Sequence, residues 1–600
     1  MAGRIEDYAM IGDCETAALV SNTGSIDWLC LPRFDAPSCF AALLGTQDNG
    51  HWSIKPAQPV TNTQRKYVED TLVLETEFTT ETGTAVILDF MPPHDGSSNL
   101  VRIVEARQGH VEFEMDLVIR FDYGRSVPWV STDMSGELTA IAGPNRLTLK
   151  APVELRGEDL HTKATFSVSK GERLPFALTY SPSHEPVPLA RDPEEELEET
   201  IDFWRDFVGQ CPKVDSYTSI VKRSLITLKA MTYMPTGGIV AAITTSLPEA
   251  IGGERNWDYR YCWLRDATMT LMAFMKLGYL NEAAAWREWL LRAVAGAPEQ
   301  MQIMYGVAGE RYLPEWEADW LPGYEGSQPV RIGNAAAEQF QLDIYGEVAD
   351  ALAQARRLGL PHHRRGTALA DTLLPFLEKA WRLPDEGIWE VRGGRDHFTH
   401  SKVMAWVAFD RAARLVEEFG GQRRAARRWR QIADEIHADV CNNGYDEELG
   451  SFVQSYGSKV LDASLLQIPL VGFLPPEDPR VISTVETIER RLMRNGLLLR
   501  YETEKTDDGL PAGEGAFLIC SFWLCDALVL LKRNDDAKQL YERLCSLCND
   551  VGLLSEEYDP ATGRMLGNFP QAFSHIGLIA SALNLARLEG PAEERSDSHH

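Results

Sequence analysis

The stretch "FLICSFWLCDALVLL", residues 517–531, carries a single charge, Asp526, in fifteen positions. A bilayer span needs about 20 apolar residues, and an acid in its middle is costly there, so the segment reads as a helix buried inside protein. The segment at 421–441, "GQRRAARRWRQIADEIHADVC", is its opposite, rich in Arg and Ala. A fold holding both kinds needs helices without a solvated face and helices with one, as two concentric rings provide. Between about 215 and 590 the period is helical throughout, with twelve segments from 216–234 to 570–588, the fourth at 334–358 and the eighth at 461–472. Six helical hairpins recurring every fifty to seventy-five residues predict a closed α/α toroid, a repeat-like architecture.

The connections are unequal. Even-to-odd loops are short, such as "GGQ" at 420–422. Odd-to-even loops are long and rich in Trp, Tyr, Gly, Asp, Glu and Arg: "GGERNWDYRYCWLRD" (252–266), "LPDEGIWEVRGGRDHFTH" (383–400), "GLLSEEYDPATGRMLGNFP" (552–570), and the loops at 312–334, 442–458 and 496–515. Alternate loops of a helix ring emerge on the same face, so all six are expected around one cavity, and long loops in a compact domain are usually functional.

The first ~190 residues have a different period. "TLVLETEFTTETGTAVILDFMPP" and "GELTAIAGPNRLTLKAPVELRG" alternate apolar and polar residues between Gly, Asn and Pro, as short strands of a β-sandwich do. "DPEEELEETIDFWRDFVGQ" (192–210) then reads as a linker helix, with Asp192 as N-cap and Pro193 in its first position. The expected organisation is a multidomain β + α chain: a β-sandwich over 1–190, a linker over 191–214, an (α/α)6 barrel over 215–590 and a disordered tail over 591–600.

Composition removes several functions. A net charge of −29, spread along the chain, argues against nucleic-acid binding, which needs a Lys/Arg excess. "MAGRIEDYAMIGD" has charge where a signal peptide has an apolar core, and ten scattered cysteines show no disulfide-like framework, so a reduced, cytoplasmic protein is expected. "CSLC" (545–548) has redox spacing but lies in a helical run with no strand before it. No His/Cys cluster has zinc spacing and no phosphate-binding Gly loop is present, so neither metal nor cofactor is expected.

Aromatic planes, carboxylates and arginines together are what sugars need: C–H faces pack on rings, and hydroxyls take hydrogen bonds from Asp, Glu and Arg. Glycoside hydrolysis is the main reaction that two carboxyl groups alone perform. At these residues the chain resembles glycoside hydrolase family 15, the glucoamylase and trehalase family. The segment 5–45, "NWDYRYCWLRDAT", "GYEGSQPVRIGNAAAEQFQLDIYGE", "HSKVMAWVAFDRA" and "LLSEEYDPATGRMLGNFPQAFSHIGL" carry the resemblance over nearly the whole length. It implies a β-sandwich followed by an (α/α)6 barrel, and inverting release of glucose from an α-glucosidic non-reducing end.

Residue by residue, the resemblance implies that Arg265 and Asp266 of "WLRD" grip the glucose. Glu390 of "IWE" is the general acid, beside Trp389 as a sugar-packing plane. Arg500 of "RYE" binds sugar together with Tyr501, and Glu556 of "LLSEEYD" is the general base, with Glu557 as the adjacent alternative. Trp316 and Tyr324 are expected to line the pocket, while Glu315, Glu317 and Glu347 compete for the acid role. Where glucoamylases carry a second acid after the first, this chain has Val391, which puts the leaving-group side in question. A small α-glucoside, trehalose or a short glucan, is the expected partner, with trehalose first and maltooligosaccharides or isomaltose as alternatives. A phosphorylase or a non-catalytic sugar-binding protein are remote alternatives. No membrane partner is expected, and homo-oligomerisation is left open.

Overall fold

The computed structural model describes residues 2–93, 96–134, 136–361, 363–502, 509, 513–586 and 595. The amino-terminal strands form an antiparallel network organised on one twenty-residue strand, Asn99–Val118. Its first half pairs with Gly83–Phe90 and Arg173–Pro182. Its second half pairs with His51–Pro56 and His161–Ser169. The two layers of the expected sandwich therefore share a strand. Trp28, Trp52 and Phe113 are buried in its core. Arg102 is fully buried too, and is satisfied by Asp89 (2.7 Å) and the carbonyls of Trp52 and Gly24 (2.8 Å each), the pairing a buried guanidinium requires.

The connecting helix is Pro193–Val208, and the Asp192 side chain accepts from the Glu194 amide at 2.9 Å. It lies across both domains: Glu196 accepts from Asn99 Nδ2 at 2.8 Å, and Phe207 packs on Tyr279 with ring centroids 4.7 Å apart.

The remainder is a double ring. The inner elements are Leu264–Lys276, Asp343–Arg357, Thr399–Phe419, Gln467–Leu470, Leu518–Leu530 and Ala572–Ala586, and the last packs back on the first. The outer helices are Thr218–Ala230, Leu280–Ala293, Arg364–Ala380, Arg423–Asn443, Pro479–Leu492 and Asn534–Cys545. Leu518–Leu530 is buried at every position but Val529, whereas Arg423–Asn443 buries only Ala426, Ile432, Ala433, Ile436 and Val440. Asp526 is accommodated inside by a hydrogen bond from Ser581 Oγ at 2.7 Å.

Two segments differ from the periodic reading. The fourth helix starts at Asp343, because Asn334 caps a separate 3-10 turn, Ala335–Glu338, and the chain then runs extended. The eighth shrinks to the turn Ala463–Leu466 and the single turn Gln467–Leu470. Gly472, at φ +72°, and the Pro475–Pro476 pair stop it. Among the described residues no helix is long and apolar enough to cross a membrane. All ten cysteines are free thiols, and burial pushes Cys545 and Cys548 of "CSLC" up to about 11 and about 12, away from reactive thiolate. The tail expected over 591–600 lies outside the described residues except for Arg595.

Candidate active site

Four of the six long loops line one cleft. The 252–266 loop contributes most. Arg255, Trp257 and Tyr259 reach the cleft at alternate positions of an extended run, and Trp263, Arg265 and Asp266 do so where the run turns into the helix Leu264–Lys276. The 383–400 loop supplies Trp389, Glu390, Val391 and Arg392, and the 496–515 loop supplies Arg500 and Tyr501. The 442–458 loop stays off the lining, but Asp462 just beyond it accepts from Trp389 Nε1 with both oxygens at 2.9 Å.

Glu390 sits in the left-handed region at φ +59°, a conformation costing a non-glycine residue of order 1–3 kcal/mol that the surroundings must impose. Gln339 Nε2 holds it by donating to the carbonyls of Glu390 (3.1 Å) and Val391 (3.3 Å). The Glu390 carboxylate points at the cleft and accepts from Trp263 Nε1 at 2.6 Å. Burial raises its pKa, against the pull of Arg265 and the Trp263 hydrogen bond. Trp389 is set against Phe517 and Trp523, with centroids 5.6 and 5.9 Å away.

Arg265 is clamped from below by Asp343 Oδ2 (2.9 Å) and Gln341 Oε1 (2.8 Å), leaving the rest of its fork toward the cleft. Burial lifts the Asp266 carboxyl to about 7, with Arg265 opposing and Glu390 adding to it. Arg500 donates to Glu514 (2.8 and 2.6 Å) and to Glu249 Oε2 (3.0 Å).

Glu556 and Glu557 lie behind the cleft wall, almost fully buried, and neither belongs to its lining. They face different surroundings. Glu556 Oε2 accepts from the Asn568 amide at 3.0 Å, while Oε1 has no hydrogen-bond partner of good geometry among the described residues. Burial and then the charge of Glu249 raise its pKa, while the Asn568 amide, Arg500 and the Tyr259 hydroxyl lower it. Glu557 accepts from the Gly515 amide at 2.8 Å and joins Glu249 and Glu514 in a carboxylate cluster. Burial and those two neighbours drive its pKa well above the usual range. Tyr259 lines the cleft and feels the charge of both candidate carboxylates. Burial and then the charges of Glu556, Glu390 and Glu249 hold its hydroxyl in the protonated state.

Two expected lining residues are corrected. Trp316 is 40% exposed, outside the cleft, against Tyr123 and Trp320. Tyr324 is fully buried and its hydroxyl donates to Gly3 O at 3.1 Å. The 312–334 loop folds back on the amino-terminal domain there, so its aromatics serve that junction. The competing acids are also accounted for. Burial alone would raise Glu315, but hydrogen bonds from Arg392 and the Ala335 amide outweigh it and hold the carboxyl below its ordinary value. Glu317 is exposed on the strand Trp316–Glu317. Glu347 is buried off the cleft, and burial pushes it up to about 8.

Sequence reading passed over Trp257, Tyr259, Trp263, Arg392 and Glu249. The odd-numbered alternation of 255, 257 and 259 was the available signal for the first two. Glu249 has no such signal, since it reaches the cleft from before the loop.

Residues 215–583 match the model of glycosyl hydrolases family 15, and residues 1–187 match a trehalase-like N-terminal domain. A trehalase of Mycolicibacterium smegmatis is 40% identical, over 99% of this chain and 92% of its own. A trehalase of Thermoplasma acidophilum is 36% identical, over 94% and 98%. The fold matches that of a bacterial glucoamylase complexed with acarbose at a TM-score of 0.74, with 14% identity, covering 99% of this chain and 96% of that one. With a family-wide match over the whole helical ring and relatives this similar along the full length, the chain belongs to glycosyl hydrolases family 15 and is a glycoside hydrolase.

Proposed function

We propose that the enzyme is an inverting trehalase, splitting α,α-trehalose into two glucose molecules. The observation that carries the chemistry is a pair of carboxyl groups, half-buried Glu390 and buried Glu556, held near one cleft in unlike surroundings. Relatives along the full chain support the substrate. Six trehalases are 30–40% identical over at least 94% of it, whereas an isomaltose glucohydrolase of Kribbella flavida is 25% identical over 41%.

Glu390, protonated, gives its proton to the glycosidic oxygen as the C1–O bond breaks. Burial favours that neutral form. Glu556, ionised, takes a proton from a water that attacks C1 from the opposite face, so β-glucose leaves from the cleaved side. An inverting pair stands ~6.5–9.5 Å apart to make room for that water. Oε1 of Glu556, which has no partner of good geometry among the described residues, is the oxygen suited to receive the proton. Burial and mutual repulsion raise Glu249, Glu556 and Glu557 together, so they share protons as one set, and a proton held on Glu249 or Glu557 leaves Glu556 to serve as the base. Arg265, Asp266, Arg500 and Tyr501 hold the glucose while bonds change. Ten unpaired cysteines fit a reducing, cytosolic compartment.

The test is hydrolysis of trehalose, maltose, isomaltose and maltotriose, following glucose and its anomer as it forms. Trehalose is expected to have the highest kcat/KM, with one β-glucose and one α-glucose formed per bond cleaved. Preference for maltotriose would replace the reading with a glucoamylase. Turnover only with phosphate would make the protein a phosphorylase, and glucose release from none would leave a binding protein.

A further inference from the structure

The mouth of the cleft holds a built cluster that the assignments above leave unused. Arg392 lies two residues beyond Glu390 and lines the same cleft. Its guanidinium makes a two-pronged pair with Glu315, at 3.2 and 2.8 Å, and lies 4.2 Å from the Trp257 ring centroid. Arg331 also lies over that ring, at 4.5 Å, and reaches Glu315 at 3.8 Å. The Ala335 amide donates to Glu315 at 3.1 Å. Trp257 is itself pinned, its Nε1 donating to Glu249 at 3.0 Å and its carbonyl accepting from Asn568 Nδ2 at 2.9 Å. Three loops thus spend ion pairs, ring contacts and a backbone amide on holding one guanidinium in place.

Its position says what it meets. Arg265 and Arg500 have side chains 5% and 8% exposed, deep in the cleft, whereas that of Arg392 is 31% exposed. In the proposed reaction the glucose losing its bond lies deep, and the leaving glucose lies outward past the oxygen that Glu390 protonates. A residue carried by the same loop as Glu390, lining the same cleft nearer solvent, sits on the leaving side. An arginine–glutamate pair offers donors and an acceptor in one plane, which suits neighbouring hydroxyls on a pyranose.

We propose that Arg392 and Glu315, backed by Trp257, form the subsite for the leaving glucose and select trehalose among α-glucosides. The 1,1 linkage flanks the bond being broken with the 2-hydroxyl and the ring oxygen of that ring, and the 3-hydroxyl beside the 2-hydroxyl completes a diol that a fixed fork can take. In maltose the bond is flanked by the 3-hydroxyl and the bulkier 6-hydroxymethyl group, which fit it worse. Val391, where glucoamylases carry an acid, is 5% exposed, so the polar contact falls to the next residue. The inference rests on the trehalase reading for its substrate, not for its geometry.

The test compares trehalose with α-glucosyl fluoride, which keeps the glycone and has no second sugar, in Arg392→Ala, Arg392→Lys and Glu315→Gln. The ratio of kcat/KM for trehalose to that for the fluoride is expected to fall about 10–100-fold in Arg392→Ala, the loss of a charged hydrogen-bond pair. Arg392→Lys should recover little of it, because a point charge lacks the fork, and Glu315→Gln should lower the ratio by less. An unchanged ratio, including one in which both substrates slow together, overturns the proposal. If the wild-type enzyme cleaves another disaccharide and not trehalose, the trehalase reading fails, and the same ratio taken with that disaccharide still decides the subsite.

Discussion

The two carboxyl groups proposed for catalysis are distinguished by their neighbours as well as by burial, Glu390 half-buried on the cleft lining and Glu556 buried behind it. Glu390 faces Arg265 and an indole N–H, and Glu556 faces an amide, a phenol and the charge of Glu249. Replacing Glu390 or Glu556 with Gln should lower kcat by about 10²–10⁴-fold with the fold intact, the usual worth of one proton-transfer group. Glu557→Gln should cost far less, and a loss equal to that of Glu556→Gln would move the base by one residue. A pH profile tests the wiring. With Glu556 as the proposed base, activity needs it ionised, and Glu249 opposes that ionisation, so Glu249→Gln should shift the acid limb of kcat/KM to lower pH. An unmoved limb would mean the two groups are not linked.

The element that matters most is the hairpin Glu557–Asp559 with Arg564–Leu566, extended by Ala516–Phe517. It places Glu556 at its entrance and Gly567 at its exit, back to back. Gly567 has φ +69°, and a Cβ there would lie 2.4 Å from Glu556 Oε2 and 2.7 Å from Glu556 Cβ. Gly567→Ala should therefore displace the base as well as strain the backbone. The left-handed conformation alone costs about 1–2 kcal/mol, readable as a lower unfolding midpoint in urea. Activity should fall by more than that loss of folded protein explains. Full activity in the folded variant would show that the Glu556 position tolerates the shift. Helical segments were legible wherever a stripe recurred over three turns or more. Residues 461–472 misled because an apolar run in a buried connection looks like a helix until Gly472 and the prolines end it.

Across the whole molecule, folding neutralises many acids that stay charged when unfolded. Burial lifts Asp266, Asp385 and Asp526 to about 7 and Glu347 to about 8. Their folded values exceed their unfolded ones near 4, so between about pH 4 and 8 the native state holds the extra protons and stability falls as pH rises. Asp350 acts oppositely. Burial opposes it, but Arg411 and Arg595 lower its pKa, so its contribution is present above its unfolded value and is lost only in strong acid. The melting temperature should decline from pH 5 to 8 at constant ionic strength. Asp526→Asn, which keeps the Ser581 contact and is remote from Glu390, should flatten that slope, and an identical slope would refute the assignment.

Periodicity and loop composition, which are local and repeat along the chain, were enough to read two domains, the paired rings and one decorated rim. The family resemblance, rather than composition, singled out Arg265, Asp266, Trp389, Glu390, Arg500 and Tyr501, and the fold brings the loops that carry them to one cleft. Local patterns carry no information about which way a loop folds once it leaves the ring. Contacts with the amino-terminal domain turned Trp316 and Tyr324 away from the cleft, to Tyr123 and Gly3. Contacts across loops brought Arg392, Glu315 and Trp257 together. Side chains distant in sequence meet only when the ring closes, so the outer half of the site belongs to the tertiary structure.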